Sequence, residues 1–358
     1  MEADNDSESE RISVPPVPES PDPGIVVAFD PELSSLSPQP SLFSLSDSIK
    51  ERAVYCEHGR RVNSHSNVYK FPSDEEEHQR QDKWHRLLKV LAGEYVPPFY
   101  EVLADDHDSS NPKTCLDLGC GSGTWLLEVA SAFPHVCCTA VDLVPLPASA
   151  RIPPNFRFEI DDISLGLEHF AGQFDVVHVR CLSPGIKDYY RLIDDTVLAL
   201  RSCGLAEFLE FDLRVFDIEK RVLVPTMPVP FSARIIALIR QAMFKRGSHV
   251  DAASLLHLWI SEHCSFEDVV YRDIWIPCGD WLRDEDAWGH PAFSTMSSDD
   301  LENLRWSFME SARPLLLSTG VPEELVSSLI GQASQELREA CIPLFICAHN
   351  VYARKKER

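Results

Sequence analysis

The residues with the clearest chemical potential lie in the run LDLGCGSGT at 116–124, which has glycine at positions 119, 121 and 123. Glycine has no Cβ, so it adopts positive φ and lets a bound molecule approach the main chain. A dinucleotide-binding loop needs its third glycine at position 124, which is Thr124 here. The spacing instead predicts a loop beneath a nucleoside ligand without phosphates, with Asp117 near an ammonium group.

A second carboxylate ends the run TAVD at 139–142. Asp142 follows Gly123 by roughly twenty residues, the separation of neighbouring strands in a βαβ unit. Ligands of open α/β sheets bind outside the carboxyl ends of the strands, where an acid accepts both ribose hydroxyls. The alternative is that Asp142 only caps the following loop. Together with the glycine loop, Asp142 predicts S-adenosylmethionine (SAM) as the cofactor.

Two further strand ends carry polar residues. The run IDDI at 160–163 offers Asp161 or Asp162 to an adenine amino group, and either acid is equally typical of a turn. Arg180 closes the run FDVVHVR at 174–180, at the edge where cofactor and substrate would meet. We therefore predict cofactor contacts from ten residues: Asp117, Gly119, Cys120, Gly121, Gly123, Asp142, Leu143, Asp162, Ile163 and Arg180.

A general base is needed only for a hydroxyl or amine acceptor. His178, Tyr189 and His257 are candidates, and the sequence does not choose between them. For His178 the alternative is a hydrogen-bonded histidine of the core. No cysteine or histidine spacing resembles a zinc site, so we predict no metal.

These residues need a parallel sheet to position them. Short apolar runs alternate with helical patterns, which is typical of strands joined by crossover helices. We predict an α/β fold with strands at Thr114–Leu118, Cys137–Asp142, Phe156–Ile160, Phe174–Val179, Leu205–Phe211, Asp268–Pro277 and Pro343–Tyr352. The predicted helices are Asp74–Glu94, Gly123–Phe133, Tyr189–Leu200, Phe231–Phe244, Asp251–His263, Ser298–Leu317 and Pro322–Ala340. RSCG at 201–204 predicts the stop signal after the helix Tyr189–Leu200, with Gly204 as its C-terminal glycine.

Four segments follow along the 358 residues. Residues 1–48 are acidic and rich in serine and proline, which predicts a disordered tail. Residues 49–111 predict helices that form a lid, residues 112–212 the SAM-binding core, and residues 213–358 a helical insertion, a substrate region and the last two strands. Five aromatic residues of this last segment suit an apolar acceptor or the core: Trp259, Trp275, Trp281, Trp288 and Phe293.

Composition restricts the class of protein. A formal net charge of −23 argues against general nucleic-acid binding, because a polyanion would be repelled. Eleven cysteines, several of them in apolar runs, fit reduced thiols in the cytoplasm or nucleus. The apolar runs are too short to cross a bilayer, so we expect no membrane association.

Several motifs in order resemble the LaeA-like fungal class I SAM-dependent methyltransferases. They are EHGRR (57–61), YKFPSDEEE (69–77), LDLGCGSGTW (116–125), PPNFRFEIDD (153–162) and GIKDY (185–189). The resemblance covers roughly residues 54–354. It departs at SCG (202–204), where a proline–glycine–glycine turn is usual, and at VNSHSN (62–67), which interrupts the lead-in.

The resemblance implies a seven-stranded SAM-dependent fold with a lead-in helix over the cofactor. It also implies that Arg60 and Tyr69 reach the pocket as lid or substrate residues. The function so implied is methyl transfer to a small-molecule acceptor. The alternatives are a SAM-binding regulator of secondary metabolism, acting on protein partners through its acidic tail, and a pseudoenzyme that keeps only the fold.

Overall fold

We describe the fold from a computed structural model, which covers residues 51–106, 110–225, 230–278, 307–339 and 342–357. These residues belong to one compact unit, Ser44–Arg358. The predicted tail at 1–48 lies outside the described residues. So do Trp281, Trp288 and Phe293 and the first part of the helix predicted at Ser298–Leu317.

A seven-stranded sheet forms the centre, in the order β5-β4-β3-β6-β7-β9-β8. Strands β3 to β7 are parallel, and β9 pairs antiparallel with both β7 and β8. This confirms the predicted class I architecture. The strands are β3 (Thr114–Leu118), β4 (Cys137–Asp142), β5 (Phe156–Ile160), β6 (Phe174–Arg180), β7 (Leu200–Phe216), β8 (Phe266–Cys278) and β9 (Leu344–Lys355).

The strand order reverses between β3 and β6, because β3 is followed on one side by β4 and on the other by β6. Both strands are largely buried, as expected for strands covered on both faces. At such a switch point the loops that follow the strands diverge and leave a crevice for a ligand. The glycine run at 119–123 begins at that crevice.

Helices cover both faces of the sheet and agree with the predicted positions within a few residues where they are described. They are α1 (Glu75–Ala92), α2 (Phe99–Val102), α3 (Thr124–Ala132), α4 (Tyr189–Ala199), α5 (Phe231–Arg246), α6 (Ala252–Glu262), α7 (Arg313–Ser318) and α8 (Glu323–Glu339). None of the described helices has the length and apolar character that a membrane crossing requires.

Helix α1 is positioned by its capping residue and its apolar face. Asp74 is the N-cap, and its Oδ1 accepts a hydrogen bond from the Glu77 N–H at 3.1 Å. Trp84, Leu87 and Leu88 pack with Leu209 of β7 and with the edge strand β8. The predicted apolar face of α1 therefore holds this helix across the carboxyl ends of the strands.

The N-terminal lid contains the predicted helix α1 and, in addition, two strands that were not predicted. A hairpin precedes α1 and is formed by β1 (Val54–Glu57) and β2 (Arg60–Asn63). Its two turn residues, His58 and Gly59, have φ of 49° and 78°. Positive φ at both turn positions matches the right-handed twist of two paired strands.

Helix α4 ends within one residue of its predicted end, but the role predicted for Gly204 as its stop was wrong. Helix α4 ends at Ala199, and Leu200 turns directly into β7, which is longer than predicted. The residue with positive φ is Cys203, at 61°. Gly204 is required for another reason, because a Cβ there would lie 3.0 Å from the Arg201 carbonyl oxygen and 3.1 Å from that of Asp175.

Candidate functional site

A cavity of about 280 Å³ opens at the carboxyl ends of β3, β4, β6 and β7. Helix α1 contributes to its wall from one side, and α5 and α8 contribute from the insertion. Nine of the ten predicted cofactor residues line it, all except Gly123. The topology therefore brings together residues that are far apart in sequence.

The glycine run forms the floor of the cavity beside β4. Gly119, Gly121 and Gly123 have φ of 64°, 57° and 76°, which only glycine adopts without strain. The N–H groups of Gly119 and Cys120 both donate to the Val141 carbonyl oxygen, at 2.8 and 3.1 Å. Gly123 instead begins α3, and a Cβ there would lie 2.6 Å from Leu146 Cδ2, so its role is conformational.

Asp142 connects the glycine run to the end of β4. Its Oδ2 accepts from the Gly121 N–H at 2.8 Å, and its Oδ1 accepts from the Val144 N–H at 3.2 Å. Burial raises the pKa of Asp142 to about 6, although these backbone hydrogen bonds favour the ionised form. Asp142 and the neighbouring Leu143 both line the cavity, so this carboxylate is positioned for a ligand as well as for the loop.

Asp117 lies beneath the loop and is held by a core histidine. His178 Nδ1 lies 2.8 Å from Asp117 Oδ1, and its ring stacks on Trp125 with 3.7 Å between ring centroids. Asp117 lines the cavity, whereas the buried His178 does not. The structure thus places His178 as an orienting partner of Asp117 rather than at a reacting group.

The acids after β5 take part in a turn that faces the cavity. Asp162 Oδ1 accepts from the Ser164 N–H at 3.0 Å and from the Ser164 hydroxyl at 2.6 Å, and so caps a short 3₁₀ turn. Asp161, Asp162 and Ile163 all line the cavity. The turn role and the ligand role predicted for Asp162 are therefore compatible.

Arg180 is a cationic side chain at the end of β6. Its Nη1 lies 3.2 Å from His85 Nδ1, and His85 Nε2 lies 3.2 Å from Glu128 Oε2. Burial and the Arg180 charge both lower the pKa of His85, which favours the neutral ring that accepts from Arg180. Over residues 51–357, in the parts that are described, Arg180 has no carboxylate at ion-pair distance.

The two lid residues predicted from the resemblance differ in position. Tyr69 lines the cavity and packs against Gly185, whose Cβ would lie 3.4 Å from that of Tyr69. Arg60 does not line the cavity, so this prediction requires correction. Its guanidinium donates two hydrogen bonds to the Asp74 carboxylate, both at 2.7 Å. This pair joins the hairpin to the start of α1.

Polar residues of α1 that the sequence analysis missed contact the glycine loop. Gln81 Oε1 accepts from the Ser122 N–H at 2.9 Å, and it would lie 2.5 Å from a Cβ at Gly121. Asp82 Oδ1 accepts from the Thr124 hydroxyl at 2.5 Å. Residues 78, 81, 85 and 88 of α1 all line the cavity, and this helical spacing was the available signal.

Glu210 on β7 is a further residue that the sequence analysis missed. It lines the cavity and is only 1% exposed. Oε1 accepts from the N–H groups of Leu182 and Ser183, at 2.6 and 3.1 Å, and from the Tyr189 hydroxyl at 2.8 Å. Burial raises the pKa of Glu210 to about 7, against the effect of these donors. The available signal was an acid between the apolar residues Leu209 and Phe211 of a predicted strand.

The remaining base candidates do not reach the cavity. Tyr189 is fully buried and donates to Glu210, so it orients that carboxyl group. His257 stacks on Tyr271, with 4.7 Å between ring centroids, outside the cavity. Trp259 and Trp275, predicted for an acceptor pocket or the core, pack against core clusters instead. The apolar wall comes from other residues: Phe71, Leu213, Ile236, Phe308, Met309 and Leu337.

One group of ligand-type side chains lies outside the cavity floor. Asp273, Cys347 and His349 each place one ligand atom within 4.8 Å of the others. His349 Nδ1 lies 2.9 Å from Asp273 Oδ1, and burial raises the pKa of the Cys347 thiol. The Cys347 thiol donates to the Ala348 carbonyl oxygen at 3.8 Å. The expected absence of a metal stays a prediction.

Comparisons with known proteins agree with this geometry. A family profile described as "Methyltransferase domain" matches residues 77–268. The "Secondary metabolism regulator laeA" of Coprinopsis cinerea is 39% identical over 277 residues, which are 76% of this chain and 66% of that protein. The "Methyltransferase pytC" of Aspergillus terreus is 31% identical over 260 residues, covering 72% of this chain and 75% of the relative.

Solved structures of methyltransferases are also similar in outline. One is the phosphoethanolamine N-methyltransferase 2 of Haemonchus contortus, in complex with phosphomonomethylethanolamine and S-adenosylhomocysteine. The alignment has a TM-score of 0.42 and 14% identity, and it covers 78% of this chain and 60% of that chain. The chain therefore spans less than two thirds of both proteins, 60% of the Haemonchus protein and 66% of the Coprinopsis protein.

Proposed function

The chain belongs to the methyltransferase-domain family, and from that premise we propose that it transfers the methyl group of SAM to a small-molecule acceptor. The observation that supports this most directly is the shared cavity. It combines a glycine backbone free of side chains with the Asp142 carboxylate at the tip of the next strand. A sulfonium nucleoside needs both features, an open main chain and an acid for its ribose.

The charges of the cavity fit the parts of SAM one by one. Asp117, fixed by His178, would hold the ammonium group, and Arg180, fixed by His85, would hold the carboxylate of the methionine portion. Asp142 would hold the ribose, while Asp162 and Ile163 would contact the adenine. In this assignment the segment 112–212 is the SAM-binding core, and residues 49–111 cover it.

When bound, SAM supplies an electrophilic methyl carbon, and in-line attack by the acceptor releases the sulfur of S-adenosylhomocysteine (SAH) as the leaving group. The chain has to align the acceptor and exclude water. Holding the reactants in the right geometry can lower the barrier by about 7–11 kcal/mol. The helices α5 and α8 and the aromatic residues Tyr69, Phe71 and Phe308 would form the dry acceptor side.

Binding of SAH to the Asp142→Ala variant tests the assignment. We expect wild-type protein to bind SAH in calorimetry and the variant to bind it at least tenfold more weakly, because a carboxylate bonded to both ribose hydroxyls is lost. The matched control is Glu159→Ala on β5, which removes a carboxylate paired with Arg157 outside the cavity. Equal SAH affinity in wild type and Asp142→Ala would refute the ribose role.

A second candidate function is regulation through protein partners, in which SAM binding serves a switch rather than catalysis. The 39% identity with a protein named as a regulator of secondary metabolism favours it. The acidic segment 1–48 would then dock partners, and the compartment would be the nucleus as well as the cytoplasm. A truncation that separates the two functions is described in the Discussion.

A further inference from the structure

The wall of the cavity contains a buried carboxylate oxygen that no described residue satisfies. Glu210 Oε1 has three donors, but Oε2 has no hydrogen-bond partner among the described residues. An unpaired buried oxygen of this kind costs free energy, about 1–3 kcal/mol, unless a ligand completes it. Because Oε1 is fixed by two main-chain N–H groups and the Tyr189 hydroxyl, the orientation of the carboxylate plane, and so of Oε2, is also fixed.

The other charged side chains that line the cavity already have a function or a partner. Arg80 pairs with Glu77, and Arg214 pairs with Asp212. Asp161 Oδ2 lies 3.7 Å from His169 Nε2. Asp117, Asp142, Asp162 and Arg180 are already assigned to SAM. Glu210 therefore remains for the second substrate.

Glu210 also lies at the junction between the cofactor loop and the apolar wall. Its Oε1 is bonded to Leu182 N–H, and the Leu182 side chain fills the space beside Gly119, where a Cβ would lie 2.1 Å from Leu182 Cδ2. On the other side, Leu213 and Val215 of the same strand β7 face the cavity. A methyl donor on the glycine loop and an acceptor on the apolar wall would meet near this carboxylate.

We propose that Glu210 is the residue that binds and deprotonates the acceptor, and that the acceptor is an amine or hydroxyl compound with an apolar body. This inference rests on the proposed methyltransferase function. The N–H or O–H of the acceptor donates to Glu210 Oε2. The acceptor lone pair forms the new bond to the methyl carbon, the carbon–sulfur bond breaks with its electron pair on sulfur, and the acceptor proton passes to Oε2 and from there to solvent.

The properties of Glu210 suit this task. A general base works best when its pKa is close to the working pH, and burial holds the pKa of Glu210 at about 7. The rest of the acceptor would be bound by apolar contact with Phe71, Ile236 and Met309. An acceptor carboxylate or phosphate is disfavoured, because the uncommitted group of this wall is itself an acid.

Comparing two nucleoside ligands tests Glu210 without knowledge of the acceptor. SAH has an uncharged sulfur, whereas in sinefungin a carbon bearing an amino group replaces the sulfonium and its methyl. The amine therefore probes the acceptor side of the cavity. By calorimetry at pH 8, we expect sinefungin to bind the wild-type protein more tightly than SAH. In Glu210→Gln, sinefungin affinity should fall at least tenfold and SAH affinity less than threefold.

The matched control is Glu207→Gln on the same strand. Glu207 is also buried, but it accepts from Asn350 and does not line the cavity. Both ligands should bind this variant as they bind wild type. Equal losses of sinefungin and SAH in Glu210→Gln would overturn the proposal. Failure of wild-type protein to bind either ligand would overturn the methyltransferase function itself, and with it this inference.

A crystal structure of wild-type protein with sinefungin decides the question even if Glu210→Gln does not fold. The expected result is an amine nitrogen within 2.7–3.2 Å of Glu210 Oε2, as in an ordinary hydrogen bond. An amine directed at any other side chain would overturn the proposal.

Discussion

Two carboxyl groups of the cavity, Asp142 and Glu210, are kept partly protonated by burial near neutral pH. Each has been removed from bulk water, and each is compensated by main-chain N–H groups rather than by a cation. Such groups are costly in the unliganded protein and become favourable when a ligand brings donors to them. Perturbed carboxyl groups in a cleft are typical of functional sites.

The stability of the unliganded protein should therefore depend on Glu210. Its pKa is about 7 in the folded chain and ordinary, near 4.5, in the unfolded chain. Between these values the folded state binds more protons, so its free energy of unfolding falls as pH rises from 4.5 to 7. Glu210→Gln is neutral throughout. We expect it to match wild type at pH 5 and to be more stable at pH 8, by about 3 kcal/mol at most.

Urea denaturation of both proteins at pH 5 and pH 8 measures this difference. Asp142 shifts in the same direction, but it is present in both proteins and its effect cancels in the comparison. If the difference in free energy of unfolding between wild type and variant were the same at both pH values, the raised pKa of Glu210 would be contradicted.

At the scale of elements, α1 is the part that completes the site. It contributes Gln81 to the glycine loop, His85 to Arg180, and Trp84 to the wall. Its start is fixed by Asp74, which caps the helix and binds Arg60 of β2. Although burial opposes its ionisation, the hydrogen bonds from Arg60 and from the Glu77 N–H hold the pKa of Asp74 below its usual value.

Replacing the cap should loosen α1 without touching the cavity. For Asp74→Ala we expect a loss of about 1–2 kcal/mol in the free energy of unfolding, because both the cap and the Arg60 pair are removed. Asp74→Asn keeps a capping oxygen but loses the charge and one of the two acceptors for Arg60, so its loss should be smaller. Denaturation in urea at pH 7 ranks the three proteins. An alanine variant as stable as wild type would exclude the capping role.

The local elements were predictable and their long-range contacts were not. Strand β3, helix α3 and strand β4 follow one another in sequence, so their apolar pattern and the glycine spacing define the floor of the cavity. The hairpin was missed because β1 and β2 are short and mostly exposed, without a clear alternation of apolar residues. Gln81 and Glu210 were missed because their partners Ser122 and Leu182 are 41 and 28 residues away.

At the scale of the whole molecule, the acidic segment 1–48 distinguishes the two candidate functions. All of the described residues that line the cavity come after this segment, and they belong to the compact unit Ser44–Arg358. We therefore expect a chain that lacks residues 1–48 to bind SAH with unchanged affinity in calorimetry. Methyl transfer to a small acceptor should also persist in this truncated chain.

The same truncation has a different outcome if the chain acts as a regulator. A partner that docks on the tail would then bind the full-length chain and fail to bind the truncated one in a pull-down from the same extract. If the truncated chain no longer bound SAH, the expectation that the cavity works without residues 1–48 would be wrong.

The position of β9 affects how the chain can be assembled during synthesis. This strand is near the C-terminus, yet in the sheet it lies between β7, which carries Glu210, and the edge strand β8. On the ribosome, β7 and β8 must therefore wait with open hydrogen-bonding edges until Leu344–Lys355 has left the exit tunnel. After β8 is made and before β9 emerges, the nascent chain therefore carries two unpaired strand edges that are prone to aggregation. Insertion of β9 joins β7 to β8 and completes the wall of the cavity.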